Sequence, residues 1–77
     1  MLWVIARTPE EAAAFMEVVE NPPEWKYLGH AGYILNHEEP LDVVLVEGWT
    51  ERVDAGLIRI NFEYRNNLNV LYGETTE

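Results

Sequence analysis

Two short runs, Leu2-Trp3-Val4-Ile5-Ala6 and Leu41-Asp42-Val43-Val44-Leu45-Val46, constrain this chain more than any other feature. Each is nearly continuous in apolar side chains, where a half-buried strand would alternate. A strand can afford that only if both of its faces are covered, which is the condition of a parallel sheet with helices on either side. Strands joined in parallel also need a crossover between them, and a helix is the usual one.

The first crossover is written in Thr8-Pro9-Glu10-Glu11. Thr8 suits the N-cap, Pro9 suits the first helical position, and Glu11 stands where a capping box needs its acid. Ala12, Phe15, Met16 and Val19 then recur at helical spacing, and Asn21-Pro22-Pro23 ends the pattern, so a helix is predicted over 8–20. Trp25-Lys26-Tyr27-Leu28 reads as the next strand. Gly29 to Gly32 then bends the chain before Tyr33-Ile34-Leu35, a candidate short strand.

Residues 54–65 carry two readings. Ile58, Ile60, Phe62 and Tyr64 alternate with Arg59, Asn61, Glu63 and Arg65, the period of a strand, and this would make a C-terminal hairpin over 57–72 in an α+β fold. Alternatively Asp54 caps a helix, Arg59 and Glu63 pair four residues apart, and Asn66-Asn67 supplies a left-handed end. The need for a second crossover helix favours the latter, since otherwise one sheet face stays bare. The expected fold is therefore α/β: a small half-Rossmann-like sheet of three to four mainly parallel strands with two helices. Residues 1–72 form one domain, and 73–77 a flexible acidic tail.

Charge and composition exclude several kinds of function. Fourteen acids against five bases leave a net charge of −9, which opposes direct contact with nucleic-acid phosphates or anionic lipid. The chain has no cysteine and no serine, so thiolate metal sites, disulfides and the usual serine or cysteine nucleophiles are absent. The turn after the first strand lacks the glycines of a phosphate loop, and Pro9, Glu10 and Glu11 make it hostile to an anion. His30, His37, Glu38, Glu39 and Asp42 are the only gathering of metal-ligand types, and their spacing reads as a solvated turn. Asp42 with Glu47 has the look of a nuclease acid pair, but Trp49 stands where its lysine belongs. Lys26 is the only lysine, so a phosphoacceptor domain with a late lysine does not fit either. No catalytic, cofactor-binding or metal residue is assigned, and no cofactor is expected.

Three Trp in 77 residues are many. Core packing accounts for such residues in a thin sheet, and an exposed aromatic patch for a partner is the functional alternative. Trp49, beside Gly48 and framed by Glu47 and Glu51, is the first candidate contact, with Trp25, Tyr33 and Glu47 beside it.

The stretches Val4 to Ala12, Trp25-Lys26-Tyr27 and Val43 to Asp54 together resemble short Rossmann-like accessory proteins of actinobacteriophages. The resemblance implies a compact phage protein, carries no catalytic residue with it, and favours a helix after Asp54. The expectation is a non-catalytic interaction module, binding a host or phage protein or homodimerising, with no direct nucleic-acid or membrane contact. The hydrophobic start at Met1 to Ala6 is too short for a signal segment, so the host cytoplasm is the expected location. Two alternatives stand beside it. Glu10, Glu11, Glu17, Glu20 and Glu24 could mimic a DNA backbone, or the 47–54 loop could hold a minimal ligand or catalytic site using Glu47 or Asp54.

Overall fold

In a computed structural model, which describes residues 1–35 and 39–73, the chain is a layered α/β domain. β1 spans Leu2–Ile5, α1 Pro9–Val18, β2 Trp25–Tyr27, β3 Leu41–Leu45, α2 Ala55–Ile60 and β4 Leu68–Gly73. The sheet is four-stranded in the order β2-β1-β3-β4, and every neighbouring pair is parallel. This is the half-Rossmann-like arrangement expected of the two apolar runs, which become the two central strands β1 and β3.

Alternation along the strands divides the core in two. Leu2, Val4 and Ala6 face α1 together with Val44 and Val46, and there meet Ala12 and Met16, with Phe15, Val19, Trp25 and Tyr27 packed around them. Ile5, Val43 and Leu45 face the other way, onto Leu28, Ile34, Trp49 and Ile58. Because adjacent residues of a strand point to opposite faces, a run without polar residues is what both layers require.

α1 begins where its sequence says it should. Thr8 Oγ1 accepts a hydrogen bond from Glu11 N–H at 3.1 Å, Pro9 opens the first turn, and Asn21 takes a left-handed φ of 54° just beyond the helix end. The expected capping box is half formed, since the Glu11 carboxylate is taken by Arg7 at 2.6 Å.

The segment after Asp54 is helical. α2 runs straight into a π-helical turn over Asn61–Arg65, which Asn66 closes with a φ of 53°. A strand would have buried Ile58, Ile60, Phe62 and Tyr64 on one face. Instead Ile58 is buried and Ile60 and Tyr64 are exposed, so the hairpin reading fails on burial as well as on pairing. Asn61 is the pivot of this end: it is buried, its Nδ2 donates to Leu57 O at 2.8 Å, and its own carbonyl accepts from both Asn66 and Asn67. The anticipated Arg59–Glu63 pair is not among the ion pairs of the described residues, and Arg59 lies over the Trp49 ring instead.

Tyr33-Ile34-Leu35 does not become a strand. Ala31–Tyr33 forms a single 3₁₀ turn, because the donors there are satisfied by side chains: Ala31 N–H by Asp54 and Gly32 N–H by His30 Nδ1. Gly73, expected in the tail, ends β4, and the remaining tail residues lie outside the described part of the chain.

Candidate functional site

In an open α/β sheet the natural place for a ligand is the crevice beyond the carboxyl ends of the strands, where two neighbouring strands send their connections opposite ways. Here that point lies between β1, whose chain leads outward to β2, and β3, whose chain leads to β4. An open cavity of about 350 Å³ is found there, lined by Arg7, Tyr27, His30, Glu51, Arg52 and Asp54 among others.

The protein fills the crevice floor with its own charges. Arg52 Nε and Nη2 donate to the two carboxylate oxygens of Asp54 at 2.8 and 2.9 Å. The same guanidinium donates to Ala6 O, at the end of β1, and to Gly29 O, just past β2, at 3.1 and 3.2 Å. Its carbon sits 5.4 Å from the centre of the Tyr27 ring, and Tyr27 O–H donates to the same Ala6 carbonyl. Asp54 in turn accepts from Ala31 N–H at 2.8 Å. One ion pair, with side chains 6% and 4% exposed, thus ties the loop after β3 to the ends of β1 and β2 and to the 3₁₀ turn.

That engagement sets the chemistry of Asp54. Burial alone pushes its carboxyl upward, but the hydrogen bonds from Arg52 and from Ala31 N–H, with the charge of Arg52, outweigh it and hold the group below 3.8. An ionised carboxylate locked by two oxygens to a guanidinium is a poor general acid or base. Glu47, the other carboxylate named from the sequence, is exposed on the loop that follows β3. At the crevice rim Arg7 is committed to Glu11 and approaches Glu51 at 3.7 Å.

The aromatic candidates do not converge. Trp49 is 1% exposed and packs in the α2-side core, with Phe62 at 6.1 Å, so it serves packing and offers no surface to a partner. Tyr33 is exposed and stacks on Trp3 at 6.3 Å, while Trp25 is half-buried on the opposite face, against α1. Of the metal-ligand types, His37 and Glu38 lie outside the described residues, and no cluster of three such side chains occurs among those described. Among the described residues no helix is long and apolar enough to cross a membrane.

Sequence reasoning passed over Arg52 and the rim of β4. An Arg-Val-Asp triplet after a buried strand was the available signal for the first. The second is a surface: Leu57, Ile60 and Tyr64 lie along one side of α2 and its π-helical extension, and Leu71 and Tyr72 are exposed on β4. No family model, curated protein or solved structure matches the chain.

Proposed function

We propose that this chain is a non-catalytic protein-interaction module that self-associates through the open edge of β4. The observation that carries this reading is the character of that edge. Leu68-Asn69-Val70-Leu71-Tyr72-Gly73 contains no charge and no proline, two of the devices that protect exposed edges from pairing, and its one irregularity is a register shift against β3 at Leu71. Asn67 O accepts from Leu41 N–H at 2.8 Å, and successive main-chain groups of a regular strand alternate sides, so the N–H and C=O of Leu68, ahead of the register shift, turn outward. Leu71 and Tyr72, 45% and 39% exposed, flank them.

Charge favours contact at this edge over any other between two copies. Residues 55–73 hold Arg59 and Arg65 against the single acid Glu63, a net +1, whereas the rest of the chain carries a net −10. Two such chains repel each other least where these segments meet. The crevice floor supports the non-catalytic part of the proposal, since the carboxylate of Asp54 there is held by Arg52. The resemblance to actinobacteriophage accessory proteins supports a phage-type role in the host cytoplasm.

Light scattering over a concentration series tests the proposal. The expected result is a mass twice the 8.9 kDa of one chain, reverting to one chain when Leu71→Lys and Tyr72→Lys put charges on the edge without touching the core. A single-chain mass at every concentration, or a dimer that ignores these substitutions, overturns it.

A further inference from the structure

The opposite side of the molecule carries a second surface, independent of β4. Between the carboxyl half of α1 and the start of β2 runs an open groove of about 420 Å³, lined by Ala13, Met16, Glu17, Val19, Pro22 and Trp25. Its floor is apolar: Met16 belongs to the α1-side core, and Val19 and Trp25 pack at the margin of that core, half-buried. Pro22 and Pro23 stiffen its far wall, where the chain leaves α1 through the left-handed Asn21.

Glu17 lines the groove, and Glu20 and Glu24 are the chain neighbours of its lining residues Val19 and Trp25. From Thr8 to Trp25 the chain has no Lys or Arg, and Glu17, Glu20 and Glu24, all exposed, take part in none of the ion pairs of the described residues. Lys26 is the nearest base in the sequence, but Trp25 and Tyr27 face α1, so alternation along β2 turns Lys26 to the other side of the sheet. Glu17 lies in the last turn of α1 and Glu20 just past it, where the helix dipole is negative and where no basic residue is present. Acids at that end are unfavourable for the helix itself and favourable for an incoming cation.

We propose that this groove binds a basic amphipathic segment of another protein, whose apolar side chain enters between Met16, Val19 and Trp25 while its Lys or Arg side chains meet Glu17, Glu20 and Glu24. Charge complementarity selects this occupant. An anionic membrane and a nucleic acid would each bring like charge to the rim, and so would a second copy of this chain outside its residues 55–73. An apolar groove with acids around it matches the helix-in-groove mode of recognition, in which anchors give affinity and rim charges give partner choice.

The test titrates the full chain, labelled with ¹⁵N, with three synthetic peptides of equal length: a Lys/Leu amphipathic helix former, a Lys/Gly peptide of the same charge, and a Glu/Leu amphipathic peptide. The expected result is binding of the Lys/Leu peptide with a Kd on the order of micromolar, amide shifts confined to residues 13–25, and a Kd that rises with salt. Glu17→Lys with Glu20→Lys, both exposed, should weaken binding at least tenfold, and Glu63→Lys on the far side should leave it unchanged. Equal binding of the Lys/Gly peptide, or shifts spread over the whole acidic surface, would reduce the effect to bulk charge and overturn the proposal. So would binding of the Glu/Leu peptide, or no binding at all. Because the β4 variants Leu71→Lys and Tyr72→Lys lie outside the groove, peptide binding and self-association can fail separately.

Discussion

Both carboxylate oxygens of Asp54 are held by one guanidinium, that of Arg52, at 2.8 and 2.9 Å. The pair is two residues apart in the chain, yet through it four separate pieces of backbone meet: the ends of β1 and β2, the 3₁₀ turn, and the loop leading into α2. It is a latch across the sheet's carboxyl edge.

Removing one half of that latch leaves the other buried and unpaired. Asp54→Asn is therefore expected to lose about 3–5 kcal/mol, against a total of about 4–12 kcal/mol for a chain this size. Urea unfolding followed by circular dichroism measures it. Most of that loss is the stranded guanidinium, so adding Arg52→Met should recover part of it. A single-variant loss under about 1 kcal/mol would show that the latch is not a buried pair in solution.

The pH dependence follows from the same group. The folded carboxyl is held below its ordinary 3.8, so its contribution is complete above that value and is lost as pH falls toward the folded one. The stability gap between the native chain and Asp54→Asn should be flat from neutral pH to about 5 and then shrink steadily below about 4. A gap that widens on acidification would contradict the assignment.

Two glycines should respond in opposite directions to alanine. Gly73 ends β4 at a φ of +90°, and a Cβ there would run into the main chain of Leu45, so Gly73→Ala is expected to cost more than about 1 kcal/mol. Gly56 lies in α2 with open space where its Cβ would be, so Gly56→Ala should gain about 0.5–1 kcal/mol. Thermal melts of the two variants should move apart by roughly 6 °C or more, given about 4–8 °C per kcal/mol in a domain of this size.

Trp49 is predicted to matter for folding. Its ring lies in the α2-side core, between Phe62 and the guanidinium of Arg59, and Trp49→Ala should cost about 3–5 kcal/mol. In fluorescence quenching by acrylamide, Trp49→Phe should remove the component least accessible to the quencher and leave the more exposed Trp3 and Trp25 signal.

Much of the fold was legible because its signals are local. The runs at Leu2 and Leu41 demanded strands covered on both faces, and Thr8-Pro9 with Asn21-Pro22-Pro23 bracketed α1. The alternation from Ile58 to Tyr64 kept a second reading open because a π-helical turn and a buried Asn61 break the simple helical wheel, leaving a pattern that also fits a strand. Trp49 was misjudged as a contact for a related reason: Gly48 and the flanking acids describe a loop, and a loop residue enters the core only when the next element, α2, folds back over it.

By itself, then, the sequence determined the class of fold, the first helix, and the absence of serine, cysteine and phosphate-loop chemistry, all of which depend on residue types at short spacing. Only the tertiary structure decided what stands at the carboxyl edge and which surfaces remain open. Arg52 reaches Ala6 across 46 positions and Asp54 reaches Ala31 across 23, and nothing in a local window encodes such contacts. Likewise, β4 becomes an edge strand, and Glu17 of α1 comes to line an apolar groove, only once the strand order is set. Strand order is a property of long-range pairing, which the side-chain pattern of any one segment leaves open.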